Sequence, residues 1–134
     1  MKKIRKIVMI AMLVMVCSIN TITLVAGNVD DTRFDFNFSP AMLAKTVVRA
    51  KRDDTSSYMK CFGTTVPYTA KVYAIRSLSD KKIVDVGSPS YTFGVGMTHF
   101  MHNYVKESGY GNALIGGMSA MPGTAYGFWS PDSV

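Results

Sequence analysis

The sequence predicts a mainly β protein: a small antiparallel sandwich or barrel with at most one or two short helices, preceded by a helical signal peptide. Three observations carry that expectation. Arg33 to Phe38 alternates strictly, with Phe34, Phe36 and Phe38 on one side and Arg33, Asp35 and Asn37 on the other. That period of two belongs to a half-buried strand. Past the leader, Tyr, Phe, Thr and Val are common, while good helix formers other than Lys and Arg are scarce and Glu107 is the only glutamate. Nine of the eleven glycines lie at or after Gly87, dividing the second half into short runs between turns.

The leader spans residues 1–27. Lys2, Lys3, Arg5 and Lys6 form a positive start that stays on the cytoplasmic side of a membrane. Ile7 to Cys17 is an apolar run of signal-peptide length. Polarity returns at Ser18, Asn20, Thr21 and Thr23, and Val25, Ala26 and Gly27 put small residues where a signal peptidase requires them. The expected cut lies between Gly27 and Asn28, leaving a single mature β-rich domain at 28–134. A cut after Ala26 would place the larger Leu24 third before the scissile bond. An uncleaved anchor is the alternative, because Ile7 to Ala26 approaches the roughly 20 apolar residues of a spanning helix; Asn20 and the threonines interrupt it. A lipoprotein cut before Cys17 would need a small residue where Val16 stands.

Four of the fifteen Lys and Arg residues sit in the leader. The mature part is therefore nearly balanced, at about +2, without the basic surface of a nucleic-acid binder. At about 107 residues it makes one domain with its own core. Cys61 is its only cysteine, so no intramolecular disulfide is available and packing must supply stability. The expected role of Cys61 is a small buried side chain, with an intermolecular disulfide or a reactive thiol as alternatives.

After a polar lead-in to Thr32 and the strand at 33–38, Ser39-Pro40 offers an N-cap and a first helical residue. A short turn or helical piece is expected there, then a strand over about Lys45 to Lys51. Arg49, Lys51 and Arg52 stand beside Asp53 and Asp54, which reads as a solvated turn. Ser56 to Phe62 reads as a strand with Ser57, Met59 and Cys61 on one side and Tyr58, Lys60 and Phe62 on the other. Tyr68 to Leu78 carries apolar groups on both faces, as a central or bulged strand does. Lys82 to Val86 and Tyr91 to Phe93 are short strands. Thr98 to Glu107 departs from this pattern: Phe100, Met101, Tyr104 and Val105 recur at helical spacing, Thr98 can cap and Gly109 can terminate, so a short helix is expected, with an irregular strand as alternative. Ala113 to Gly116 and Thr124 to Trp129 close the domain.

The residues offer little catalytic chemistry. His99 and His102 would share a helical face, but a metal needs a third ligand and Glu107 is out of phase; two solvent-facing histidines are expected. Cys61 with a histidine would make a thiol nucleophile and base, without a flanking signature. No Gly-x-Ser-x-Gly elbow is present. Asp30, Asp31 and Asp35 lack the glycine and terminal glutamate of a calcium loop. Gly94-Val95-Gly96 lacks the third glycine and following lysine of a phosphate loop. Asn37-Phe38-Ser39 has the letters of a glycosylation acceptor but is followed by Pro40. No enzyme, cofactor or metal is expected.

Three stretches resemble a family of small exported proteins of unknown function from low-GC Gram-positive bacteria: residues 49–61, residues 103–110, and Gly127 to Val134 with its Trp-Ser-Pro-Asp-Ser ending. The plan, a leader and a small mature domain, is similar to that of the lactococcin-972-type bacteriocins, whose chains are shorter. The resemblance carries no catalytic residues. Trp129-Ser130-Pro131 is expected to close the last strand against the core, in preference to serving as a receptor-binding tail. The functional expectation is a secreted small β protein, a bacteriocin-like effector or surface-binding module. The alternative is a structural or envelope-associated protein held by its uncleaved N-terminal segment. The expected partners are signal peptidase, the general secretion machinery and another cell's surface, with no nucleic acid.

Overall fold

A computed structural model describes residues 27–133; the leader before Gly27, with its helix and anchor readings, lies outside the described residues. In chain order the strands are β1 (Thr32–Phe38), β2 (Ala44–Lys45), β3 (Arg49–Ala50), β4 (Ser57–Thr64), β5 (Tyr68–Ile75), β6 (Ile83–Val84), β7 (Tyr91–Phe93), β8 (Thr98–Met101), β9 (Asn112–Met118) and β10 (Gly123–Ser130). All pairings are antiparallel. One sheet runs in the order β1-β10-β4-β8. The other centres on β9 and β5, with β2 and β3 on the free edge of β9 and β6 and β7 on the far edge of β5. The expected mainly β class is what the chain adopts, with no helix among the described residues.

The alternation in β1 works as read: Phe34, Phe36 and Phe38 are buried and the residues between them exposed. Their rings meet the second sheet through Tyr68, which lies 5.0 Å from Phe38 and 6.0 Å from Phe36 and stacks on Phe93 at 5.3 Å. Gly117 on β9 makes this approach possible, since a Cβ there would stand 2.7 Å from the Phe36 ring. Met59, Met101, Val105 and Trp129 extend the same core. Among the described residues, all strands and the buried apolar cluster lie between Thr32 and Ser130.

At Ser39-Pro40 the chain takes the turn of the two forms expected, and at Thr98 the expected helix gives way to the strand alternative. Ser39-Pro40 starts only a turn, closed by Met42 N–H donating to the Ser39 carbonyl at 3.1 Å, and Ala44 already pairs with β9. Thr98–Met101 is a strand, because β4 needs an edge partner and takes these four residues. Phe100 and Met101 therefore point to opposite faces, one exposed and one fully buried. Local spacing loses here to tertiary pairing. Only a turn follows, and Gly109, at φ 87°, ends it as anticipated.

The strand expected over Lys45 to Lys51 is interrupted. The Thr46 hydroxyl accepts from the Ile115 N–H at 2.9 Å while Thr46 N–H donates to the Ile115 carbonyl at 3.0 Å. A side chain thus stands in for the ladder, and Val47 is displaced into solvent. Tyr68–Leu78 stops at Ile75, where a turn through Ser77 and Lys81 begins. The central β4–β10 ladder of the first sheet carries a bulge: Tyr126 pairs with Gly63 but Gly127 pairs with Cys61, leaving Phe62 as the extra residue.

One reading needs correction at Lys51. It is not part of a solvated turn but is buried to 2% exposure. Its ammonium donates to the Thr55 carbonyl at 2.6 Å, the Pro131 carbonyl at 2.9 Å and Asp132 Oδ1 at 2.9 Å. Both side chains of the pair are entirely out of solvent. Asp132 Oδ2 accepts from the main-chain N–H of Asn28 at 2.7 Å and of Arg52 at 2.9 Å. The Ser57 hydroxyl also donates to the Pro131 carbonyl, at 2.8 Å, and the Asn103 amide reaches Ser57 at 3.2 Å. Burial opposes ionisation of Asp132, but the bonds from Asn28, Lys51 and Arg52 outweigh it and hold the carboxyl below its ordinary range. Trp129, Ser130, Pro131 and Asp132 are all buried, as expected for a strand closure and not for a tail.

A Cβ at Gly127 would stand 1.9 Å from the Lys60 carbonyl oxygen, so Gly127→Ala should cost at least about 2 kcal/mol in urea unfolding. Gly111→Ala, with nothing within 4 Å, should be near neutral. Lys51→Met strands a buried carboxylate and should cost about 3–5 kcal/mol; a urea midpoint unchanged from wild type would refute the role given to the pair. Because the folded-state value of Asp132 is depressed, its stabilisation is complete above the ordinary carboxylate value of about 3.9 and is lost as pH falls through the lower folded value. The carboxyl carbon resonance of Asp132 should accordingly stay that of a carboxylate at pH 4 in the folded protein.

Candidate binding face

The outer side of the first sheet is where side chains with recognition chemistry gather. Alternation puts Arg33, Asp35 and Asn37 of β1 outward, with Thr124, Tyr126 and Phe128 of β10. From β4 come Tyr58, Lys60 and Phe62, and from β8 come Thr98 and Phe100. Register aligns Arg33, Phe128, Lys60 and Thr98 across the strands, and Tyr58 with Phe100. Phe62 is 44% exposed, Phe100 62%, Tyr126 45% and Phe128 38%.

Each ring is held by a specific neighbour. The bulge turns Phe62 beside Phe128, edge to face at 5.4 Å. Lys60 Nζ lies 5.1 Å from the Phe62 centroid. Tyr58 and Phe100 pair at 5.6 Å. Tyr126 lies over Gly63, where a Cβ would meet its ring at 2.6 Å, and the Arg33 guanidinium is 5.2 Å from its centroid. Asp35 pairs with Arg33 at 3.0 Å, and that hydrogen bond holds the Asp35 carboxyl below its usual range. The result is a row of aromatic rings bordered by cations and by the amide and hydroxyls of Asn37, Thr98 and Thr124. Two ring pairs, Tyr58 with Phe100 and Phe62 with Phe128, thus lie partly exposed on one sheet face, with Tyr126 beside them.

The residues singled out from the sequence are placed as follows. His99 lies on β8, packed edge to face on Phe93 at 4.9 Å, with Nε2 2.9 Å from the Thr92 carbonyl. His102 follows the strand, against Tyr104 at 4.8 Å. They share no helical face, because no helix forms. Among the described residues no three His, Cys, Asp or Glu side chains converge as metal ligands. Cys61 is free and fully buried, which removes it as an accessible nucleophile. Its thiol lies 3.5 Å from the Gly63 carbonyl. It also adjoins Tyr68, whose ionisation is pushed up by burial and by the thiol, although the two make no well-directed hydrogen bond. Asp30 and Asp31 are exposed. Gly94 to Met97 forms a turn between β7 and β8, and Gly96 N–H donates to the Cys61 carbonyl at 2.9 Å. Gly27 and Asn28, flanking the expected cut, open the described part, with Asn28 fastened to Asp132.

The aromatic face escaped the sequence reading. The outward set Tyr58, Lys60 and Phe62 is visible in the alternation of β4, but its neighbours depend on β10 inserting between β1 and β4.

No curated protein and no solved structure matches the chain. Residues 22–133 match a family described as "Protein of unknown function (DUF2712)". That match covers both sheets, the aromatic face and the buried pair, and the chain therefore belongs to the DUF2712 family.

Proposed function

We propose that the protein is exported, cut between Gly27 and Asn28, and acts as a small binding module that contacts a glycan-bearing cell surface through the aromatic face. The observation that carries this reading is the cluster of Tyr58, Phe62, Phe100, Tyr126 and Phe128 on a strand surface that elsewhere alternates with polar residues. Aromatic rings stack on the C–H faces of sugar rings, while the hydroxyls and amide of Asn37, Thr98 and Thr124 match sugar hydroxyls. Arg33 and Lys60 suit anionic substituents on such a polymer. A bacteriocin-like effector is the narrower form of this reading, in which the surface belongs to another cell.

The envelope-associated alternative keeps the leader as an anchor. The mass of the chain recovered from culture medium and from membranes separates the two.

Phe100→Ser with Phe128→Ser should reduce retention of the purified mature domain on insoluble bacterial cell walls by tenfold or more, given roughly 2 kcal/mol for each anchoring aromatic side chain. The urea midpoint should hold, because both rings are partly in solvent already. Retention equal to wild type would sink the face as the contact. Retention on phospholipid vesicles but not on walls would sink the glycan assignment.

A further inference from the structure

Asn28 is fastened at all four of its polar atoms. Its N–H donates to Asp132 Oδ2 at 2.7 Å and its carbonyl accepts from Asp132 N–H at 3.3 Å. Its side-chain Nδ2 donates to the Ala50 carbonyl at 2.9 Å, and its Oδ1 accepts from Arg49 Nη2 at 2.7 Å. Arg49 is itself placed by the Asp30 and Trp129 carbonyls and lies over the Trp129 ring at 5.6 Å. No other residue of the polar lead-in is engaged so completely. A flexible lead-in has no need of such a seat; a chain terminus with a fixed position does.

We propose that Asp132 is the receptor for the α-ammonium group that processing at the Gly27–Asn28 bond creates. The inference rests on the export reading above. Hydrolysis adds one water: the hydroxyl goes to the Gly27 carbonyl carbon, the other hydrogen goes to the Asn28 nitrogen as the C–N bond breaks, and the new acid's proton then joins that amine, giving a carboxylate and an ammonium. The Asn28 nitrogen keeps the hydrogen that points at Asp132 Oδ2 and acquires a positive charge. The bond to the ionised Asp132 carboxylate, charge-assisted through its acceptor alone, becomes an ion pair with charge on both partners. The 2.7 Å separation already lies within the range of such bonds.

The surrounding charges accommodate the addition. Lys51 binds the other carboxylate oxygen, Oδ1, so the two cations do not compete for one acceptor atom. Arg49 faces the Asn28 side chain and Arg52 contributes its main-chain N–H. Asp53 N–H completes the set on Oδ1 at 3.4 Å, and the Asp30 and Asp31 carboxylates follow Asn28 directly in the chain. Processing thereby tightens the buried node: the export step and the final stability of the domain are coupled.

The test begins with the full chain produced in an exporting Gram-positive host. The secreted product is weighed by mass spectrometry and treated with acetyl N-hydroxysuccinimide ester near neutral pH. A product starting at Asn28, with its amine acetylated at least about tenfold more slowly than in urea, is expected, since one unit of upward pKa displacement alone removes tenfold of the reactive free amine. A product starting at Asn28 whose amine reacts as fast as in urea overturns this inference and leaves the export reading standing. A product starting elsewhere overturns both. The second arm compares purified chains starting at Asn28 and at Gly27, which differ in whether the Asn28 nitrogen is charged. The unfolding constant should be about tenfold smaller for the Asn28 form; equal constants overturn the proposal.

Discussion

The ion pair between Lys51 and Asp132 is the constraint on which the rest of the structure depends. Two charges entirely out of solvent are expensive to desolvate, and their mutual attraction alone rarely compensates. Here the remaining valences are filled. Lys51 uses all three of its donors, on Thr55, Pro131 and Asp132. Asp132 accepts from Lys51, Asn28, Arg52 and Asp53. The pair is therefore less a contact than a junction. It joins the entry to β1, the turn between β3 and β4, and the exit of β10. Through Pro131, Ser57 and Asn103 it also holds the segment after β8. With Cys61 buried and unpaired, no disulfide ties these segments among the described residues, and the junction joins them instead.

How much of this could be read beforehand depends on the range of the interaction. The strand at Arg33–Phe38 was legible because its period and its buried face are both local properties. The same holds for the opposite faces of Ser57 to Phe62 and for Trp129 turning into the core. Thr98–Met101 reads as a strand only in second place, since its pairing with β4 is non-local and its spacing happens to suit a helix. Lys51 was misplaced for a related reason. Beside Asp53 and Asp54 its charge looks solvated, and its partner lies 81 positions away. Buried ion pairs are the least visible feature in a sequence, because each member alone resembles surface. The aromatic face fell between these cases: its side chains alternate as expected, yet only the insertion of β10 between β1 and β4 assembles them.

The aromatic face and the junction share a strand. β10 presents Tyr126 and Phe128 outward, turns Trp129 into the core and delivers Asp132 to its partners. A shallow depression lined by Val29, Asp31, Tyr58, Phe100, Ser130, Asp132 and Ser133 lies where the two regions meet. Fixing the end of β10 therefore also fixes the platform that carries the exposed rings.

The central claim is that the Asp132 junction is part of the globally stable core and not a surface loop contact. Hydrogen exchange at the Arg52 amide tests it most directly. This N–H lies outside every strand, on an exposed residue, and its partner is Asp132 Oδ2 at 2.9 Å. If the junction opens only with the whole domain, Arg52 N–H exchanges as slowly as the central amides of β5 and β9 and follows their denaturant dependence. Exchange at the rate of an unprotected loop, insensitive to denaturant, would contradict the account.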